Sequence, residues 1–371
     1  MIRMTLAEIA EITGGQLVNA AASATVSGAV EYDSRRIGPG GLFVAFAGEK
    51  VDGHDFAGTA MAAGAAGILG SRDTGAPGVV VADPLAALAA LARVVVSRLD
   101  KLTVVGLTGS SGKTTTKDYI GQLLGRLGPT VAPAGSLNNE LGFPYTVLQA
   151  TAETRFLVLE MGARGIGHIR YLTEIARPQI GVVLNVGAAH IGEFGSVEGT
   201  ARAKGELVEA LPSSGVAILN ADDPLVSAMA SRTSAHVTLV GEAPSSEVRA
   251  TDVALDASGR ASYTLTSNGR SGHVRLGVAG QHQVANTLAA AAVALAAGMD
   301  LDELTTALGE VGIVSGRRMD VFERPDGVTV IDDSYNANPS STAAALRALA
   351  AMGQGKRTTA VLGYMAELGE H

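Results

Sequence analysis

A chain of 371 residues exceeds what one ordinary hydrophobic core organises, so two or three domains are expected. Hydrophobic residues make up 47% and aromatic residues 4%, with no Trp, so the cores must be built from Ala, Val, Leu and Ile. A formal charge of −8 without any basic run argues against a nucleic-acid partner. The absence of cysteine excludes disulfides, thiolate metal sites and cysteine nucleophiles, and suits a reducing compartment.

The N-terminal stretch carries Glu8 where a signal peptide would be apolar. The longest apolar runs are interrupted by Arg93 or end at Gly298, too short to span a bilayer. A soluble, cytoplasmic protein without membrane insertion is expected. Residues 1–98 read as a first α/β unit. Thr5 and Glu8 have the spacing of a capping box. Strands are expected at 41–47 and 78–81, a helix of small residues over 56–66, and a helix over 84–99 with Asp83 as N-cap and Pro84 at its first position.

The next segment, Leu102-Thr-Val-Val-Gly-Leu107, is an apolar β-branched run that stops at Thr108-Gly109-Ser110-Ser111-Gly112. Lys113, Thr114 and Thr115 follow, and Ile120, Leu123, Leu124 and Leu127 recur at helical spacing. Strand, glycine turn and helix in this order present backbone N–H groups, an ammonium and a hydroxyl to a polyphosphate. The glycine spacing is shorter than in the common G-x-x-x-x-G-K-[ST] loop. An ordinary strand-to-helix turn with a solvated lysine is the alternative, and Lys-Thr-Thr directly after glycine favours phosphate.

From 99 to 316 strands and helices alternate as in a largely parallel sheet. Strands are expected at 102–107, 155–160, 180–186, 216–220 and 236–240, and helices at 113–127, 197–210 and 284–297. Residues 248–279, punctuated by Asp256-Ala257-Ser258-Gly259 and Ser267-Asn268-Gly269, read as antiparallel hairpins. Glu160 ends an apolar strand, where ligands of open α/β sheets gather, and suits Mg²⁺ beside phosphates. A helix-capping or solvated Glu is the other reading. His190, in a glycine-containing loop, is by residue type alone as well explained as structural. Lys204 lies in an amphipathic helix, where a surface lysine is the ordinary reading. Asp222-Asp223-Pro224 reads as a turn opening a helix. After Gly316 the pattern restarts with a turn at 324–327, a strand over 328–331, a helix over 339–352 capped by Asn338, and a strand over 358–362.

Taken together, the loop 109–115, Glu160, His190, Lys204, the run Gly280-Gln281-His282-Gln283-Val284-Ala285-Asn286, and Asp332-Asp333-Ser334-Tyr335-Asn336-Ala337-Asn338-Pro339 resemble the Mur ligase family of ATP-dependent amide-forming enzymes. Asp33-Ser34-Arg35 and the segment 43–54 extend the likeness over essentially the whole chain.

The resemblance implies an α/β protein of three parts. These are an N-terminal α/β domain for a UDP-linked substrate (1–98), a central P-loop ATPase domain with a mainly parallel sheet and a small antiparallel part (99–316), and a partial Rossmann-like C-terminal domain (317–371). It implies ATP-driven joining of D-alanyl-D-alanine to UDP-N-acetylmuramoyl-tripeptide through an acyl phosphate, by a monomer. Lys113 would stabilise the transferring phosphoryl group. Thr114, Glu160, His190 and a carbamylated Lys204 would hold two Mg²⁺ ions.

Gly109, Ser110, Ser111, Gly112, Thr115, Asn286, Arg317 and Asp332 would contact the nucleotide, Asn286 at adenine. Ser34, Arg35, Asn138, Asn139, Tyr335 and Asn336 would bind substrate. Other readings are a relative with a different amino-acid acceptor, a plain P-loop kinase or NTPase switch, and a nucleotide-binding fragment without catalysis. Tyr364 stands where the family usually has an acidic residue.

Overall fold

Thr5 and Glu8 close the capping box that their spacing predicts: Thr5 Oγ1 accepts the Glu8 N–H at 3.1 Å and Glu8 Oε2 accepts the Thr5 N–H at 2.8 Å. The helix Leu6–Thr13 follows and stops at Gly14, whose φ of 63° only glycine adopts at little cost. Asp83 caps the helix Pro84–Ser97 by accepting from the backbone N–H groups of Leu85 and Ala86, and Leu88, Leu91, Ala92 and Val95 form its buried face. These elements belong to the computed structural model of the chain, which describes residues 1–187, 194 and 196–365. Two units are distinguished, one of residues 1–102, 137–157 and 174–176, the other of 103–136, 158–173 and the described residues from 177 onward.

The first unit contains a five-stranded sheet in the order Gln16–Val18, Gly78–Val80, Gly67–Gly70, Leu42–Val44, Val30–Glu31. Only the pairing of the first two strands is antiparallel. The strand Gly67–Gly70 was not expected. Two apolar residues between glycines carry no readable alternation, and pairing on both sides makes them a strand. The small-residue helix is shorter than expected, Ala57–Ala62 after a 3₁₀ turn at Gly53–Phe56.

The nine-stranded sheet runs Arg270–Ala279, Arg260–Ser267, Val248–Leu255, His236–Gly241, Val216–Asn220, Ile180–Val183, Thr103–Thr108, Phe156–Glu160, Thr130–Val131. Thr103–Thr108, Ile180–Val183, Val216–Asn220 and His236–Gly241 pair in parallel, the first three as largely buried apolar runs of the kind α/β sheets use. The expected hairpins form the other end, antiparallel through Val248–Leu255, Arg260–Ser267 and Arg270–Ala279. Asn268 and Gly269, with φ of 50° and 73°, make the tight turn between the last two.

Helices Lys113–Leu127, Val197–Glu209 and Gln283–Ala296 stand where the spacing placed them. His168–Ile175 and Leu301–Glu310 are further helices outside the sequence reading. Past them, Asp320–Glu323 and Thr329–Asp332 pair as a hairpin, and Asn338 caps Pro339–Met352. Residues 358–362 form no strand, a correction to the expectation. A strand needs a neighbour to take its ladder bonds, and none of the described strands lies alongside. No helix among the described residues is long and apolar enough to cross a membrane.

Candidate active site

Thr103–Thr108 lies in the interior of the sheet and the chain leaves its C-terminal end into the glycine loop. Gly112 has φ 80° and precedes the first residue of the helix Lys113–Leu127, so the helix N-terminus opens onto the loop. A Cβ at Gly112 would lie 2.5 Å from Asn286 Oδ1, which sets glycine there for space as well as conformation. Asn185, just past Ile180–Val183, holds the loop from the neighbouring strand. Its carbonyl accepts the Ser110 N–H at 3.1 Å and its Oδ1 accepts the Ser111 N–H at 2.9 Å. Ser110 Oγ accepts the Gly187 N–H at 2.8 Å. Lys113 donates from Nζ to the Gly109 carbonyl at 2.9 Å.

Thr114 Oγ1 donates to Glu160 Oε2 at 2.8 Å, and Ser136 Oγ donates to Glu160 Oε1 at 2.7 Å. Both Thr114 and Glu160 are buried, as is Thr115. A hydroxyl and a carboxylate brought together at a helix N-terminus are hard oxygen donors of the kind Mg²⁺ takes. Lys204, on Val197–Glu209, is 4% exposed, and its ammonium makes no hydrogen bond among the described residues. Burial first, and the Lys113 ammonium second, push its amine well below the usual lysine range. His190 lies outside the described residues.

Arg318 enters the same site. Its Nη2 donates to Thr114 Oγ1 at 3.1 Å and its guanidinium stacks 4.1 Å from the centre of the Tyr335 ring. Its buried Nε has no hydrogen-bond partner among the described residues. Sequence reading named Arg317, one residue earlier. Arg317 is exposed and left-handed with φ 61°, and its charge helps hold Asp332 below the usual carboxylate range after the hydrogen bonds from Ser334. The expected pair Arg317 and Asp332 is thus brought together, while the contact to Thr114 belongs to Arg318.

The segment leading to Arg318 is tied to the phosphate-loop helix. Asp118 Oδ2 accepts the Ser315 N–H at 2.8 Å, and Gln122 exchanges two hydrogen bonds with the Gly312 backbone. Lys117, buried beside Asp118 at 2.9 Å, donates to the carbonyls of Pro133 and Gly135. Nothing in the sequence alone points to this clasp, since an adjacent Lys-Asp pair on a helix ordinarily faces water.

Asn286, near the start of Gln283–Ala296, lines a cleft with Asn185, Asn220, Val240, Leu288 and Ala289 at the ends of the parallel strands. Tyr335 and Asn336 are exposed. In the first unit, Ser34 is half-buried, and Arg35 makes a bidentate pair with Asp33, Nε to Oδ1 at 2.9 Å and Nη2 to Oδ2 at 2.6 Å. That pairing brings the Asp33 carboxyl down to about 2. Asn138 is half-buried, and Asn139 accepts the Gly142 N–H at 2.8 Å.

Comparison with known proteins bears directly on this arrangement. Models of the Mur ligase family catalytic domain, the Mur ligase middle domain, and the Mur ligase glutamate ligase domain match residues 27–99, 107–294 and 317–371. Over its whole length the chain is 51% identical to the UDP-N-acetylmuramoyl-tripeptide–D-alanyl-D-alanine ligase of Mycobacterium tuberculosis, covering 79% of it. It is 39% identical to the enzyme of that name from Escherichia coli, covering all of this chain and 81% of that one. The structure of MurF from Acinetobacter baumannii superposes with a TM-score of 0.88 at 34% identity, over 99% of this chain and 80% of that one. MurF ligase from Thermotoga maritima in complex with ADP superposes with a TM-score of 0.78 at 30% identity, over 93% and 79%. The chain belongs to the Mur ligase family.

Proposed function

We propose that the protein joins D-alanyl-D-alanine to UDP-N-acetylmuramoyl-tripeptide at the expense of ATP, in peptidoglycan precursor synthesis. The observation that carries this reading is the convergence of Lys113, Arg318, Thr114 and Glu160 at one helix N-terminus, in a chain that aligns throughout with ligases of that name. A substrate carboxylate and a triphosphate are both anionic, so their reaction needs concentrated positive charge. Lys113, Arg318 and the helix N-terminus supply it.

In the reaction so read, a carboxylate oxygen of the tripeptide forms a bond to the terminal phosphorus as the bond to ADP breaks. The dipeptide amine then attacks the acyl carbon, loses its proton, and phosphate departs. Thr114 and Glu160, with His190 and a carbamylated Lys204, would hold two Mg²⁺ ions, whose charge screens the phosphates. Burial of Lys204 beside the charge of Lys113, which favours a neutral amine, supports the carbamate. Nitrogen of the neutral amine bonds to CO₂, a proton leaves, and the ammonium that would repel a metal becomes an anionic oxygen donor.

Ser110, Ser111 and Thr115 line the triphosphate, Asn286 meets adenine, and Arg317 with Asp332 approaches the nucleotide from the C-terminal part. Ser34 and Arg35 hold the UDP end, and Asn138, Asn139, Tyr335 and Asn336 the rest of the substrates. The division at 1–98, 99–316 and 317–371 is supported by the three family matches. The enzyme works as a cytoplasmic monomer.

Phosphate release tests the reading. It should require the tripeptide nucleotide and D-alanyl-D-alanine together. Release with a single amino acid would indicate a different acceptor, and release without acceptor a plain NTPase.

A further inference from the structure

Tyr119 is fully buried on the helix that begins at the phosphate loop, 164 residues from the glutamine it touches. Its hydroxyl donates to Gln283 Oε1 at 3.0 Å. The same oxygen accepts from Asn286 Nδ2 at 3.0 Å. Gln283 is 1% exposed and Asn286 7%. An amide carbonyl has two acceptor positions, and here Tyr119 and Asn286 share them. Burial pushes the Tyr119 phenol well above its usual range, so its proton stays in place to be donated.

This bonding decides which way the Asn286 amide faces. With Nδ2 turned to Gln283, Oδ1 is the amide atom nearest Gly112, 2.5 Å from where a Cβ would stand against 3.7 Å for Nδ2. The cleft beside it has apolar walls in Val240, Leu288 and Ala289, two further amides in Asn185 and Asn220, and no charged lining residue among the described residues. With its Nδ2 engaged by Gln283, Asn286 has its Oδ1 left to offer a ligand, and an acceptor oxygen favours a ring edge that offers an amino group over one that offers a carbonyl.

We infer that Tyr119 and Gln283 are positioning residues that hold Asn286 in the orientation that selects a 6-amino purine nucleotide over its 6-oxo counterpart. The inference rests on the proposed ATP site and adds the element that sets its base preference. Neither Tyr119 nor Gln283 need touch the nucleotide; they act through Asn286.

The test is calorimetric binding of ATP and of ITP, each with magnesium, to the intact chain and to Y119F, Q283L and the double variant, with thermal melting as a check on folding. Y119F should weaken ATP about three- to tenfold, the worth of one ordinary hydrogen bond, and leave ITP unchanged. The double variant should show no further loss of preference than Q283L alone, because the tyrosine works only through the glutamine. A preserved ATP-to-ITP ratio in folded Y119F, or equal weakening of both nucleotides, overturns the inference while leaving the ligase reading intact. Failure of the unmodified chain to bind ATP overturns both.

Discussion

Lys113 and Arg35 are both cations assigned to phosphate, and their surroundings differ in every respect. Lys113 rests on the Gly109 carbonyl of its own loop, with buried Thr114, Glu160 and Lys204 around the same helix start. Arg35, its side chain 86% exposed, is clasped by the carboxylate two residues before it. The nucleotide side is organised in advance, so binding there orders little that is not already ordered. On the proposed assignment the UDP side exchanges Asp33 for a ligand, and because an exposed ion pair of this kind is worth little, selectivity there would come from several contacts together.

Mutations that remove prepared charge should therefore cost more than those on the exposed side. Lys113→Ala is expected to reduce phosphate release about a thousandfold. Lys204→Ala should lose about a hundredfold, with no recovery in added bicarbonate; full activity would rule out the carbamate. Arg318→Ala should lower kcat about thirtyfold and Arg317→Ala less than about threefold, since only the former contacts Thr114; equal effects in steady-state assays would erase that distinction. Arg35→Ala should raise KM for the UDP substrate about tenfold and leave calorimetric ATP binding untouched. A loss of ATP affinity in that variant would break the contrast between the two sides.

Much of this was legible before the structure. The Lys113–Leu127 helix, the Asp83 and Asn338 caps and the turn at Asn268-Gly269 are decided by residues within a few positions of one another, and local chemistry settles them. The strand Gly67–Gly70 and the expected strand over 358–362 failed in opposite directions for one reason, since a strand exists only through its neighbours. The contact of Arg318 with Thr114 escaped the sequence as well. Arg318 lies between two left-handed residues, Arg317 and Met319, an unusual conformation for non-glycine residues that no periodicity announces. The burial of Lys204 followed from no pattern in its helix, and the bond from Tyr119 to Gln283 spans two helices far apart in the chain.

At Gly112 the proposed phosphate loop meets Asn286, the proposed adenine contact. Several glycines of the chain leave no room for a methyl group, and Gly112 combines that lack of space with a left-handed backbone. Here the added methyl would crowd Asn286 Oδ1 while also straining the left-handed turn before the helix Lys113–Leu127. An alanine at Gly112 would thus meet a spatial and a conformational obstacle at the same position.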